Sequence, residues 1–254
     1  MQELIYEVYG SLPRQGPGDE ASTGRALGLM TELPENAHIL DIGCGSGAQT
    51  VALAQRTLGT VTALDKHAPF LEALRARART AGVADRVRCV VRDMNDLRFA
   101  DGSFDAIWSE GAIYFMGFEK GLRAWRRLLT PGGYLAATHL SWLTDCPSEE
   151  IRRYWEAEYP DITDVDTNRK AAEAAGFQVL GTFTLPKGAW WDDFYGPLER
   201  SLSGWRERYS HNPEVLEFLD SAQREVEMYR RFSDQYGYVF YVLRNRAPWL
   251  IAKG

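Results

Sequence analysis

The sequence predicts an α/β protein built on a doubly wound, seven-stranded, mainly parallel sheet with helices on both faces. Three observations predict it. Short apolar runs alternate with helix-period segments along most of the 254 residues, which is how parallel strands buried on both faces are written. One run, Ile39-Leu40-Asp41-Ile42, breaks into Gly43-Cys44-Gly45-Ser46-Gly47 and then a helix-like run from Ala48 to Arg56. Strand, glycine turn and helix in that order form the ligand-binding corner of a βαβ unit. Finally, carboxylates recur where the strands end: Asp41, Asp65, Asp93 and Glu110.

Taken in order, residues 1–20 are short on periodicity and carry the dense Pro/Gly segment Pro13 to Gly18, a loop. Asp19 or Ser22 caps a helix to about Glu32, and Pro34 ends it. Strands are expected at about Ala37 to Ile42, Thr60 to Asp65, Val87 to Val91, Phe104 to Trp108 and Tyr134 to Trp142. The helix after Asp65 opens on Pro69 and closes on Gly82, with Arg75, Arg77 and Arg79 on a solvated last stretch. Pro131-Gly132-Gly133 is a tight turn before the fifth strand. Further on, Glu149 to Glu158 and Asn168 to Ala175 read as helices, Phe177 to Leu185 as the sixth strand and Tyr236 to Arg244 as the seventh. Between the last two strands, about 187–235 reads as a helical insertion, with Val215, Leu219, Ala222, Val226 and Tyr229 on one stripe. The expectation is one domain over 1–254, with 1–20 as a cover over the site.

Composition narrows the class. Hydrophobic residues make up 45% and charged residues 25%, as in ordinary globular proteins. The net charge of −6 argues against a nucleic-acid partner. Cys44, Cys89 and Cys146 have no C-x-x-C spacing and read as free thiols of a cytoplasmic protein. No apolar stretch of about 18 residues occurs, so no membrane span is expected. The histidines His38, His67, His139 and His211 are scattered, and no metal site is expected.

Glycine spacing alone also fits a dinucleotide fold, since Gly43, Gly45 and Ala48 match G-x-G-x-x-G/A. Asp41 separates the readings. A carboxylate there would repel a pyrophosphate, whereas S-adenosylmethionine (SAM) has no phosphate and carries an ammonium and a sulfonium. The stretch Asp41 to Gly47 resembles motif I of the class I SAM-dependent methyltransferases, D-x-G-x-G-x-G, at every defined position. The resemblance covers roughly 25–142, includes the turn Leu129-Thr130-Pro131-Gly132-Gly133, and is nearest to the UbiE-like small-molecule enzymes. It implies a Rossmann-like sheet whose last strand runs antiparallel between the fifth and sixth.

The resemblance also implies a site. SAM would lie on Asp41, Gly43, Cys44, Gly45 and Gly47. Asp65, with Lys66 beside it, would take the ribose hydroxyls. Asp93 and Met94 would meet the adenine, and Ser109 and Glu110 occupy the place of motif IV. That place lacks the N/D-P-P-Y/F run of amino-directed nucleic-acid enzymes, and Cys146-Pro147 reverses the Pro-Cys of cytosine-5 enzymes. If the acceptor needs a base, His139 and then Glu110 are candidates; a core histidine is the other reading of His139. Tyr9, Tyr114, Trp142 and Trp191 are candidate acceptor contacts, since aromatic faces suit apolar or cationic groups; packing, or a homodimer interface, is the alternative. A non-catalytic SAM-binding module and a nicotinamide-dependent oxidoreductase are the rival functions.

Overall fold

The computed structural model describes residues 1–246. Its sheet holds β1 (His38–Ile42), β2 (Thr60–Asp65), β3 (Val87–Val91), β4 (Phe104–Ser109), β5 (Leu129–Trp142), β6 (Thr163–Asp164), β7 (Phe177–Thr184) and β8 (Tyr236–Asn245). The order is β3-β2-β1-β4-β5-β8-β7, with β6 paired to β5. Strands β1 to β5 run parallel, and β8 runs antiparallel between β5 and β7, as expected for the last strand. The two-residue β6 was not foreseen. Strand β5 outruns β4, whose pairing stops at Ser109↔Ala137, and β6 pairs with Ser141 and Trp142 beyond it.

Strand alternation sorts the core into two faces. Ile39, Val61, Ala106, Ala136 and Phe240 face α2 (Glu20–Gly28), α3 (Ala48–Arg56) and α4 (Ala68–Thr80). Their neighbours Leu40, Leu64, Ile107, Ala137 and Tyr241 face α5 (Phe118–Arg126) and α7 (Val165–Ala174). Asp19 caps α2 by accepting from the Ser22 N–H at 2.6 Å; the helix stops at Gly28, short of Glu32, and residues 29–33 continue as turns.

A third core lies over the carboxyl end of the sheet. It joins α1 (Gln2–Gly10), α6 (Glu149–Glu158), α8 (Gly188–Trp190), a π-helical turn Trp191–Tyr195, α9 (Gly196–Arg208) and α10 (Pro213–Phe232). Leu4, Val8 and Leu12 pack with Tyr195, Leu219 and Tyr229 there. The expected insertion is therefore helical. The N-terminal cover differs from expectation, because residues 2–10 form a helix that packs Leu4 and Val8 into this cap, and only the segment after it is loop. Residues 247–254, the end of the expected domain, lie outside the described residues.

Candidate functional site

Ligands of open parallel sheets bind beyond the carboxyl ends of the strands. Here that edge begins with the glycine loop. Gly43, Gly45 and Gly47 have φ of 71°, 54° and 79°, the left-handed region that favours glycine. A β-carbon on Gly43 would lie 2.4 Å from Ala112 Cβ and 3.4 Å from Met94 Cε; one on Gly45 would lie 2.8 Å from Gln15 Oε1. The loop is a bare-backbone cradle walled by Met94, Ala112 and Gln15.

The loop's N–H groups are already used. Gly43 and Cys44 donate to the Leu64 carbonyl at 2.9 and 3.0 Å, and Gly47 donates to Cys44 at 2.9 Å. Gly45 donates to Asp65 Oδ2 at 3.0 Å, and Ser46 donates to Gln15 Oε1 at 2.7 Å. A pyrophosphate on this loop would have to displace those bonds and lie beside the carboxylates Asp41 and Asp65. A sulfonium amino acid needs carboxylates instead, and those are present.

Asp41 is buried on the same face as Ile39, turned toward α3. It accepts from Thr50 Oγ1 at 2.5 Å and from Gln49 Nε2 at 3.4 Å. Burial lifts its pKa to about 7, against the hydrogen bond from Thr50. Asp65 is half-buried, and burial raises its pKa although it accepts from the N–H groups of His67 and Gly45. Each carboxylate oxygen has one such bond and keeps a lone pair for a ribose hydroxyl. Lys66 is exposed, with Nζ 5.9 Å from the Phe115 ring, and it acts electrostatically on both Asp65 and Asp93. Asp93 is exposed and accepts from Asn95 N and Nδ2, both at 2.8 Å, an Asx turn that lowers its pKa. Cys44 is buried, and burial pushes its thiol well up. Ser109 donates to the Ile42 carbonyl at 3.1 Å, tying β4 to β1.

Both candidate bases are placed otherwise than expected. Glu110 follows Trp108 by two residues and shares its buried face. Its Oε1 accepts from Thr23 Oγ1 at 2.7 Å and Trp108 Nε1 at 2.8 Å; its Oε2 accepts from Arg14 Nη2 at 2.8 Å. That carboxylate is a buried anchor for the N-terminal segment, with both oxygens engaged. His139 shares the face of Leu135 and Ala137, so it points into the helical cover. It stacks on Phe118 with ring centroids 4.6 Å apart, and burial pulls its pKa down to about 3. An imidazole held neutral so strongly is a poor proton acceptor, and the core reading of His139 fits. Thr138, on the opposite face, does reach the edge: its Oγ1 accepts from the Gly111 N–H at 2.7 Å.

The cover is closed on the loop. Besides Gln15 and Arg14, it is held by Arg77 Nη2 donating to the Pro13 carbonyl at 2.9 Å and by Gly18 N–H donating to Ala189 at 2.9 Å. Arg77 is thus not on a merely solvated face. Tyr9 stacks on Phe194 of the cap, and Tyr114 stands edge-on to Tyr159. Trp142 packs on the cap's core, and Trp191 lies under Arg230, 4.9 Å from its guanidinium, as packing. Arg14, Gln15, Tyr238 and Glu225 were missed. Glu225 lies three residues after Ala222 and four before Tyr229, on the stripe itself; a carboxylate at an apolar position was the signal. It accepts from Tyr195 OH at 2.7 Å.

Among the described residues no cluster of His, Cys, Asp or Glu could hold a metal, and no helix is long and apolar enough to cross a membrane.

The family described as "Methyltransferase domain" matches residues 40–137. Methyltransferase GfsG of Streptomyces halstedii is 39% identical over 99 residues, which are 39% of this chain and 36% of that protein; the chain thus spans about a third of it. 27-O-demethylrifamycin SV methyltransferase of Amycolatopsis mediterranei is 26% identical over 97% of this chain and 93% of its own. The SAM-dependent methyltransferase of Geobacter sulfurreducens, solved with S-adenosylhomocysteine, superposes with a TM-score of 0.80 at 20% identity, over 95% of this chain and 98% of that one. With the motif and the strand order, these likenesses show the fold of the class I SAM-dependent methyltransferases, with residues 40–137 similar to the methyltransferase domain.

Proposed function

We propose that this chain transfers the methyl group of SAM to a small-molecule acceptor held between the sheet edge and the helical cap, in the cytoplasm. The observation that carries it is the glycine cradle at Gly43–Gly47, whose own N–H groups are engaged and beside which stand the carboxylates Asp41 and Asp65. The residues suit the cofactor. Asp41 would favour its cationic amino-acid portion, Asp65 its ribose hydroxyls, and Met94 an apolar face of its base. When bound, SAM supplies an activated methyl group. The protein's share is alignment and exclusion of water, which the cap and the segment Pro13 to Gly18 can provide. With Glu110 engaged and His139 turned away, neither is a base in this arrangement, and the acceptor's own basicity or a water must suffice. Net charge of −6 speaks against a nucleic-acid acceptor, and a relative named as a methyltransferase of 27-O-demethylrifamycin SV supports a small one.

The test is native mass spectrometry of the purified protein followed by a metabolite-extract screen with methyl-labelled SAM. Bound SAM or S-adenosylhomocysteine and transfer of label to a small molecule are expected. Binding without transfer to any extract would favour the non-catalytic module, and absence of binding would defeat the proposal.

A further inference from the structure

Tyrosines of the cap surround one carboxylate, Glu225, and Tyr238 carries this aromatic group to the sheet edge beside the cradle. Tyr238, near the start of β8, brings its ring to within 3.5 Å of where a β-carbon on Gly111 would stand, and Gly111 adjoins Ala112 over the glycine loop. Trp190 packs on Tyr238 with centroids 4.9 Å apart, and on Tyr229 at 4.2 Å. Tyr195 packs on Tyr229 at 5.5 Å and gives its hydroxyl to Glu225. Tyr9 stacks on Phe194, which stacks on Tyr195. Glu225 raises the pKa of Tyr9, Tyr114, Tyr154, Tyr195, Tyr236 and Tyr238, so its charge is felt all round this ring.

Glu225 itself is poorly compensated. Burial raises its pKa first; the Tyr195 hydroxyl opposes, and the charged group that acts on it is another carboxylate, Glu158. Tyr9, Tyr114, Tyr238 and Glu225 all keep some accessible surface although burial dominates their ionisation. These four side chains are only half-buried, so a ligand can reach them. On the far side Tyr154 and Glu158 line a groove of about 450 Å³ between α6 and α10. Buried charges are ordinarily paired, and tyrosine faces attract cations.

We propose that Glu225 and the tyrosines around it bind a cationic amine of the acceptor, beside the methyl donor. The inference rests on the methyltransferase reading and narrows its acceptor to amine-bearing molecules. The amine is the handle, whether or not it is also the atom methylated. Glu225 would be a specificity-determining residue, with the charge of the ammonium meeting its carboxylate and the carbon frame lying on the tyrosine rings.

The probe pair is phenethylammonium and its neutral counterpart 2-phenylethanol, titrated by calorimetry into full-length protein saturated with S-adenosylhomocysteine. The cation should bind at least about tenfold more tightly than the alcohol, as expected for a hydrogen bond to a charged group. E225Q keeps the acceptor atom facing Tyr195 and removes the charge, so it should fold and lose the preference. Equal binding of both probes would mean a neutral, hydroxyl-bearing acceptor and overturns the proposal. So does binding of neither probe, or a preference that survives in E225Q. Should E225Q fail to fold, Y114A, at a tyrosine that feels the charge of Glu225, must weaken the cation more than the alcohol, or the proposal falls. Affinity for S-adenosylhomocysteine, read in a separate titration of the unliganded protein, separates the two levels: its absence defeats the methyltransferase reading, and its persistence without an amine preference defeats this one alone.

Discussion

Arg14→Ala tests how the cover is held. Arg14 is the donor to Glu110 Oε2, while Thr23 and Trp108 hold Oε1. The ion pair has side-chain exposures of 9% and 2%. Breaking a buried pair costs about 3–5 kcal/mol, because the remaining charge is stranded. Glu110 keeps two donors and can take up a proton, which places the loss near the lower bound, about 3 kcal/mol. The cheapest escape is local: if residues 11–18 lift off, water reaches Glu110 and the rest of the sheet stands. Hydrogen exchange in 11–18 should therefore quicken by about a hundredfold, with β1 and β4 unaffected. The pH dependence has a definite sign. Burial holds the Glu110 pKa above its ordinary value and Arg14 pulls it down, so without Arg14 it rises further. A carboxyl with a raised folded pKa binds more protons folded than unfolded, and its stability falls as pH rises through that window. The variant should thus lose most at neutral pH and approach the wild type in acid. Arg14→Met combined with Glu110→Gln should recover part of the loss. Unchanged exchange in 11–18 for Arg14→Ala would refute the anchoring role.

Asp65→Ala should weaken SAM binding by about ten- to a hundredfold, the worth of hydrogen bonds to a charged group; calorimetry showing wild-type affinity in a folded variant would remove Asp65 from the site. Asp41, with a pKa of about 7 in the free protein, must ionise to favour a cation, so affinity for SAM should fall as pH drops below about 7, and Asp41→Asn should flatten that dependence. His139 has a folded pKa of about 3 against an ordinary 6.5, so the unfolded chain binds the extra proton and stability drops as pH falls below about 6.5, by up to about 1.4 kcal/mol per unit. His139→Phe should abolish that slope in urea titrations with little change in SAM affinity; a collapse of turnover with intact binding would return His139 to catalysis.

The sheet was legible because its signals are local. Ile39 to Gly47 carries strand, turn and helix start within nine residues, and the strand ends named Asp41, Asp65 and Asp93 directly. Chemistry at the site was less legible because it depends on which face of a strand a residue takes. His139 and Thr138 are adjacent, yet one enters the helical cover and the other supports Gly111. Glu110 looked free at a strand end, since its partners Thr23 and Arg14 stand 87 and 96 residues away. Residues 2–10 hid a helix because its apolar side is completed by the cap, not by its own pattern.

The position of β8 has a consequence for how the chain reaches this state. Among the described residues, the strand made last is the one that joins β5 to β7, along Tyr134–Arg244 through Trp142–Tyr236 on one side and Phe177–Asn245 through Thr184–Val239 on the other. Until it arrives, two strands lie with bare edges, an invitation to pairing between molecules. During synthesis the sheet therefore waits for β8, and pairings of such long sequence separation form slowly. A chain stopped before Tyr236 would carry nearly every residue of the cofactor cradle and still be prone to aggregate.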